Sequence, residues 1–150
     1  MKSRPRFRSS SQEAFLRLLT AGSLLSRQAD RLLQSFDISQ PQYNVLRILA
    51  GAGAEGLGRN EIAARMIASA PDMTRLLRRM EEKGWVYRRR NVEDRREVPA
   101  KLTNTGKRLL RSIEGPLDAL HEQQFSGITQ DKMRHLLSLL KELSVVEGER

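Results

Sequence analysis

The stretch that decides the fold is NEIAARMIASAPDMTRLLRRMEEKGWVYRRRNVEDRREVPAKL, residues 60–102. Apolar positions at helical spacing predict a short helix over 60–66 and a longer helix over 70–83, separated by a turn at 67–69. Ser69 stands where a side-chain oxygen would cap the second helix. Two helices joined by so short a turn predict a helix-turn-helix unit.

After this unit the apolar period changes from that of a helix to that of a strand. Gly84 occupies the usual left-handed position at which a helix ends, and residues 85–90 and 97–102 then form two strands of a ribbon. Pro99 is acceptable in the return strand only at a sheet edge, because proline lacks the N–H that a ladder needs. Helix, turn, helix and ribbon in this order predict a winged helix-turn-helix, within a mainly α chain that carries a small β-ribbon (α+β). In that arrangement the second helix enters the DNA major groove by its N-terminal end.

The segments on either side of this lobe are also predicted to be helical. The long helices cover 12–36, 104–125 and 130–147, the last two capped by Thr103 and Thr129, and a shorter helix begins at Ser39. The first follows Ser10, whose spacing to Glu13 fits a capping box. Its apolar positions form a heptad seam: Phe15, Leu18, Gly22, Leu25, Ala29, Leu32 and Phe36. This seam fits an ordinary core-facing helix and a subunit interface equally well. Four glycines then predict a flexible loop between this shorter helix and the helix at 60–66: Gly51, Gly53, Gly56 and Gly58.

Positive charge is concentrated in two parts of the chain. The 27 Lys and Arg exceed the 18 Asp and Glu by nine, and the excess lies in residues 1–36 and 59–101, whereas residues 102–150 are neutral. A field of this sign attracts nucleic acid or an anionic membrane surface. No apolar run approaches the ~18 residues that cross a bilayer, so we expect no membrane partner.

The length and composition bound the organisation of the chain. At 150 residues it has the size of one domain, and we expect a basic, disordered arm at 1–11 and a single domain at 12–150 with its winged lobe at 38–102. The absence of cysteine excludes a disulfide framework and thiol chemistry. The amino terminus lacks the features of a secretion signal, so a cytoplasmic location is expected.

The start of the second helix carries the predicted contacts to bases and phosphates. They are Ser69, Ala70, Pro71, Asp72, Thr74, Arg75 and Arg78. Arg75 can donate to guanine O6 and N7, and Asp72 can accept from cytosine N4. The hydroxyls of Ser69 and Thr74 suit phosphate oxygens.

The ribbon, or wing, is loaded with arginine. Its predicted DNA-binding residues are Arg88, Arg89, Arg90, Asp94, Arg95 and Arg96. A narrow minor groove has an enhanced negative potential, which attracts guanidinium groups. An isolated arginine run would be a solvated surface strand, but this one follows a capped helix pair, which favours the DNA-binding interpretation.

On these residues the chain resembles the MarR (multiple-antibiotic-resistance regulator) family of transcription factors. The matching motifs lie between Ile38 and Gly106 and comprise QYNVLRIL at 42–49, MTRLL at 73–77, EEKG at 81–84, RRR at 88–90, DRR at 94–96 and LT at 102–103. The flanking helices and the total length match as well, so the resemblance covers nearly the whole chain. It implies a winged-helix transcription regulator in the cytoplasm of a bacterial or archaeal cell, associated with the nucleoid.

The resemblance also implies an assembly and roles for particular residues. Family members are homodimers joined by the helices that correspond to 12–36, 104–125 and 130–147. The wing arginine, here Arg96, enters the minor groove, and the acid, here Asp94, holds the wing to a recognition-helix arginine, here Arg75. Two positions depart from the family pattern: Arg78 stands where relatives often have an acid, and Pro99 leaves the pairing of the wing open.

The resemblance further implies a small-molecule effector, aromatic or phenolic, that loosens DNA binding. The effector would lie between the dimer helices and the DNA-binding lobe, where Tyr43, Arg47 and Trp85 are the candidate pocket residues. Each has a structural alternative, with Tyr43 and Trp85 in the core of the lobe and Arg47 in a surface ion pair.

The chain offers no catalytic, cofactor or metal site. It has no Gly-rich phosphate loop and no cysteine, so we expect no enzyme activity and no cofactor. His121 and His135 lie on different predicted helices and make no recognisable metal site. The leading hypothesis is a homodimeric repressor that binds a pseudo-palindromic operator in double-stranded DNA. The alternative is a non-specific architectural winged-helix protein, against which the acidic side chains of Asp72, Asp94 and Glu97 among the arginines favour directed contacts.

Overall fold

The computed structural model describes residues 7–69, 72–88 and 98–145. Six α-helices and two strands occur in the order α1 Ser10–Gln34, α2 Gln40–Gly51, α3 Arg59–Arg65, α4 Met73–Glu82, β1 Val86–Arg88, β2 Ala100–Leu102, α5 Asn104–Gln124 and α6 Gln130–Val145. This confirms the predicted mainly α class with a small β-ribbon. Two compact units, Met1–Leu117 and Asp118–Arg150, divide the chain within α5. None of the described helices is long and apolar enough to cross a membrane.

Three helices begin at the caps that the sequence predicts. At α2, Ser39 and Gln42 form a reciprocal capping box, in which each side chain accepts a hydrogen bond from the other residue's backbone N–H. At α5, the Thr103 hydroxyl accepts from the Gly106 N–H at 2.9 Å. At α6, Thr129 accepts from the Lys132 N–H at 3.5 Å. Each cap satisfies a backbone donor that the first turn of a helix leaves unpaired.

The start of α1 differs from the prediction. Ser9 is the N-cap, with its side chain accepting from the Gln12 N–H at 3.1 Å, so the expected box of Ser10 and Glu13 is wrong. Glu13 instead forms an ion pair with Arg17 one turn along the helix. Adjacent serines compete for one capping position, and here the earlier one adopts the extended backbone that capping requires.

The start of α4 also differs from the prediction of a helix at 70 capped by Ser69. The helix begins at Met73, and its N-cap is Asp72, which accepts from the Arg75 N–H at 2.9 Å. A carboxylate is favoured at this position because it satisfies a free donor and lies at the positive end of the helix dipole. The predicted left-handed end is confirmed, since Gly84 has a φ of +71°.

The core of the first unit is formed by the buried faces of the short helices α2, α3 and α4, together with residues of the long helices α1 and α5. Its fully buried members are Leu33, Val45, Leu46, Ile62, Leu77, Met80 and Ile113. The apolar spacing of the sequence predicts that Met73, Leu76, Leu77 and Met80 of α4 are buried; Leu76 is half-buried and the other three are buried. On α5 the predicted apolar face is Leu109, Ile113, Leu117 and Leu120; Ile113 and Leu117 are buried, Leu109 and Leu120 are half-buried, and Leu110 is buried as well.

The ribbon is an antiparallel pair with three paired residues on each side among the described residues, and Trp85, Val98 and Pro99 lie outside its strands. Val86, Tyr87 and Arg88 pair with Leu102, Lys101 and Ala100. Pro99 lies immediately before this ladder and so does not interrupt it. On its other side, Ala100 exchanges two backbone hydrogen bonds with Leu57, at 3.1 and 2.8 Å. The glycine-rich stretch predicted as a flexible loop therefore contains a buried strand-like bridge, and it also contains a short 3₁₀ helix at Gly53–Glu55.

The long helices at the two ends of the chain leave apolar side chains uncovered. On α1, Leu33 is buried, but Phe15 is 60% exposed and Leu18 is 43% exposed. In the second unit, α6 has no buried residue among those the structure describes. Its exposed leucines are Leu137, Leu139, Leu140 and Leu143.

The junction between β2 and α5 requires a residue without a side chain. A Cβ atom added at Gly106 would lie 2.1 Å from the backbone oxygen of Trp85. That oxygen accepts hydrogen bonds from the backbone N–H and the hydroxyl of Thr103, so the Trp85 backbone is held in place. The first turn of α5 can therefore pack here only through glycine.

Replacing Gly106 with alanine is expected to destabilise the fold by about 3 kcal/mol, at the upper end of the cost of overpacking a core. The matched control is Gly51→Ala, which also adds one methyl group to a helical glycine but meets nothing within 4 Å. We expect the control to be neutral or slightly stabilising. Urea unfolding monitored by circular dichroism measures both, and equal midpoints for the two variants would contradict the close approach.

Candidate nucleic-acid interface

The exposed face of α4 lies opposite its buried stripe. Thr74, Arg75 and Arg78 are exposed, as is the N-cap Asp72. Arg78 forms an exposed ion pair with Glu82 at 3.6 Å, whereas Arg75 has no side-chain hydrogen bond or ion pair with any residue that the structure describes. A helix with one apolar and one polar face packs against the core through the apolar face and presents its polar side chains to solvent or to a partner.

The residue that caps α4, Asp72, is also one of the predicted contacts to a DNA base. Asp72 was expected to accept a hydrogen bond from cytosine, and its Oδ1 already accepts from the Arg75 backbone N–H. A carboxylate has two oxygens that can each accept more than one hydrogen bond. Asp72 therefore keeps acceptor capacity while it holds the start of the helix.

Two side chains outside α4 fix this region, and neither was predicted. Arg59, the first residue of α3, donates from Nη1 to the Thr74 hydroxyl at 2.9 Å. Asn44 of α2 accepts from the Ile67 N–H in the turn between α3 and α4, also at 2.9 Å. These partners are 15 and 23 residues apart in sequence, so no local pattern could have identified them. Ile67 itself is 84% exposed.

Arg88, predicted as a wing contact, has a partner within the protein. Its Nη2 lies 2.5 Å from Glu81 Oε2 on α4, and both side chains are about one quarter exposed. This hydrogen bond raises the pKa of the Arg88 guanidinium, against the smaller opposing effect of its burial. The pair joins the first strand of the ribbon to α4.

The other predicted wing residues lie outside the described part of the chain, together with two residues before α4. They are Ala70, Pro71, Arg89, Arg90, Asp94, Arg95 and Arg96. Ser69 is exposed, at the end of the turn. The predicted contact between Asp94 and Arg75 therefore stays a prediction.

Lys83, at the end of α4, joins three parts of the lobe. Its Nζ donates to the backbone oxygen of Asp37 at 2.9 Å and to Asp37 Oδ2 at 2.7 Å. The same ammonium lies 4.6 Å from the centre of the Trp85 ring, a favourable cation–π distance. Asp37 has a left-handed φ of +54°, which aspartate tolerates better than most residues.

The three predicted effector-pocket residues are in different environments. Trp85 is buried, Tyr43 is half-buried and Arg47 is exposed. A cavity of about 400 Å³ is lined by Asp30, Gln34, Asp37, Ile38, Ser39, Gln42, Arg79 and Lys83, and another of about 510 Å³ by residues of α1 alone. Neither cavity includes the predicted residues, whose role in ligand binding stays a prediction.

Removing the Glu81 charge should loosen the wing from α4. We expect Glu81→Gln to lower the free energy of unfolding by about 1 kcal/mol, at the top of the range for partly exposed ion pairs. Because the raised pKa keeps Arg88 charged, this contribution is present at neutral pH, and it is lost as pH rises through that pKa. Glu82→Gln removes the same charge from the exposed Arg78 pair and should change stability by less than half as much. Equal effects in denaturant titrations at pH 7 would contradict the distinction.

Comparison with protein families and known proteins agrees with this geometry. The MarR family matches residues 38–98. The HTH-type transcriptional regulator FarR of Neisseria gonorrhoeae is 30% identical over 130 residues, covering 87% of this chain and 88% of FarR. The homoprotocatechuate degradative operon repressor of Escherichia coli is 26% identical over 137 residues, covering 88% of this chain and 91% of the repressor.

A solved structure shares the fold. The crystal structure of CouR from Rhodococcus jostii RHA1, bound to p-coumaroyl-CoA, aligns with a TM-score of 0.74 at 26% identity. The alignment covers 91% of this chain and 95% of CouR. Together with the exposed face of α4 and the antiparallel ribbon, these matches lead to one conclusion: this chain belongs to the MarR family of transcriptional regulators.

Proposed function

We propose that this chain is a homodimeric repressor that binds a pseudo-palindromic DNA operator through α4 and the wing, in the cytoplasm of a bacterial or archaeal cell. The observation that carries the proposal is the exposed face of α4, where Arg75 has no partner among the described residues and Thr74 stands beside it. The recognition set is Ser69, Ala70, Pro71, Asp72, Thr74, Arg75 and Arg78. Within it, Arg75 donates to guanine and the hydroxyls bind acceptors on the DNA.

In this proposal the wing contributes a separate, less sequence-specific contact. Arg89, Arg90, Arg95 and Arg96 supply positive charge to the minor groove and the phosphates, and Asp94 holds the wing to α4. Arg88 acts mainly through Glu81, because its guanidinium is already paired. The wing then follows the recognition helix as the latter enters the major groove.

The dimer is proposed to form through the helices at 12–36, 104–125 and 130–147. Support comes from the apolar side chains that each terminal helix leaves exposed, such as Phe15 and Leu19 on α1 and Leu137 and Leu143 on α6. Exposed apolar patches of this kind mark interaction surfaces. A two-fold dimer would present two recognition helices to half-sites about one helical turn apart.

We also propose that a small aromatic or phenolic ligand lowers DNA affinity, with Tyr43, Arg47 and Trp85 as the candidate pocket. The relatives support an effector of this class, since CouR was solved with p-coumaroyl-CoA bound. Repression is supported by the name of the E. coli relative. A ligand that favours the form of the dimer with lower DNA affinity would release the operator.

The DNA-binding mode is tested with an operator selected from fragments of genomic DNA. In gel shifts at one salt concentration, we expect affinity for the operator to exceed that for scrambled DNA by at least a factor of about 1,000. Equal affinities would overturn sequence-specific regulation and favour the architectural alternative.

Two arginine variants separate base contact from charge. Arg75→Ala should cost about 1–3 kcal/mol and relax specificity at one base position, whereas Arg96→Ala should weaken binding to all sequences and reduce the salt slope by about 1. Arg134→Ala removes the same charge from α6 and serves as the control. If Arg75→Ala behaved like Arg134→Ala, α4 would not be the recognition helix.

The dimer is tested by sedimentation of charge variants. A glutamate in place of Leu137 would be buried without a partner in the proposed interface, so we expect its dimer dissociation constant to rise by a factor of about 100 or more. Ile67→Glu is the control, because Ile67 is exposed but lies in the helix-turn-helix turn. A wild-type protein that sediments as a monomer, or a Leu137→Glu dimer as tight as the control, would contradict the proposed interface.

A further inference from the structure

The hydrogen bond between Arg59 and Thr74 determines what the Thr74 hydroxyl can do. A guanidinium only donates hydrogen bonds, so at 2.9 Å from Arg59 Nη1 the Thr74 oxygen is an acceptor. The hydroxyl keeps one hydrogen to donate. No other described residue receives it. Thr74 is exposed in the first turn of α4, so this hydrogen is available to a group outside the protein.

We propose that Arg59 is a positioning residue for DNA recognition, which orients the Thr74 hydroxyl as a donor toward an acceptor on the DNA. The acceptor is either a phosphate oxygen or the N7 or O6 edge of guanine, since both take a hydrogen bond from a hydroxyl. This inference rests on the proposed function, because it assumes that α4 enters the groove. The proposal adds Arg59 of α3 to the residues that support DNA binding; it is not among the residues predicted from the sequence to contact DNA.

The same turn presents a group of opposite hydrogen-bonding character. Asp72 accepts hydrogen bonds and cannot donate when ionised, and its Oδ1 is held by the helix start. The bond from Arg59 engages one lone pair of the Thr74 oxygen, so it limits the directions left to the hydroxyl hydrogen and to the second lone pair. The start of α4 therefore offers an acceptor, Asp72, and an oriented hydroxyl donor, Thr74, two residues apart, and this pairing narrows the set of DNA groups that fit.

A positive charge at residue 59 would also attract DNA without any contact through Thr74. A double-mutant cycle separates the two effects, because simple attraction is independent of the hydroxyl. The variants are Arg59→Ala, Thr74→Val and the double variant, with operator affinity measured at one salt concentration. Thr74→Val keeps the branched shape of the side chain and removes the hydroxyl.

We expect Thr74→Val to weaken operator binding about tenfold, as the loss of one hydrogen bond to DNA does. Arg59→Ala should weaken binding by a similar factor in the wild-type background and only about twofold in the Thr74→Val background, where charge alone remains. Thr74→Ser should retain most of the affinity. Equal effects of Arg59→Ala in both backgrounds would overturn the proposal.

Arg59→Lys separates the positioning role from a structural or purely electrostatic one, because only the positioning role predicts a loss of operator affinity with an unchanged salt dependence. It keeps the charge, and therefore the salt dependence, but places a shorter donor beside Thr74. We expect an unchanged salt slope with a several-fold loss of operator affinity and no loss on scrambled DNA. Wild-type affinity for Arg59→Lys would overturn the proposal, and thermal unfolding of every variant shows whether α3 and α4 remain folded.

The DNA acceptor is identified with modified operators. If replacing one phosphate by methylphosphonate removes the Thr74 effect, the acceptor is that phosphate. If 7-deazaguanine, which lacks N7, or 2-aminopurine, which lacks O6, removes the effect, the acceptor is that atom of guanine. If none of the three modifications removes it at any position, the proposal fails. Wild-type protein that does not prefer the operator over scrambled DNA would overturn the proposed function itself, whereas specific binding with an additive cycle would overturn only the role of Arg59.

Discussion

The position of the exposed face of α4 depends on the burial of the opposite face of the helix. Met73, Leu77 and Met80 recur at helical spacing and are covered by the core, each contributing about 1.5–3 kcal/mol by leaving water. Because these side chains determine the rotation of the helix about its axis, they also determine that Thr74 and Arg75 point outward. The orientation of the exposed side chains thus relies on apolar contacts on the other side of the helix.

The basic side chains around α4 fall into two groups, those paired with acidic residues of the protein and those left unpaired among the described residues. Lys83 and Arg88 form ion pairs with Asp37 and Glu81, which fasten α4 to the end of α1 and to the first wing strand. The Arg75 guanidinium is engaged by no described side chain. Part of the positive charge around α4 is therefore paired within the protein, and part is left available to an outside partner.

Prediction from sequence succeeded where the physical cause is local. Caps at Ser39 and Thr103 and the glycine end at Gly84 were identified because each acts within one helical turn. It failed where neighbours compete for one role, as when Asp72 rather than Ser69 caps α4. It also missed contacts that form only when separate parts of the chain come together in the folded structure. These contacts are the hydrogen bond from Arg59 to Thr74, the backbone bridge between Leu57 and Ala100, and the ion pair between Arg88 and Glu81. The exposed face of α4 was predictable, but the side chains that orient it were not.

The bridge between Leu57 and Ala100 has a consequence for how this protein can diverge. Ala100 pairs with Arg88 on one side and with Leu57 on the other. The two ends of the segment between Arg88 and Ala100 are therefore held by backbone pairing, whatever the sequence of that segment. Closing a longer loop costs free energy only as the logarithm of its length. Insertions and deletions between Arg88 and Ala100 should therefore be tolerated by the fold. Relatives can therefore differ in the length and composition of this one segment without any compensating change in the core.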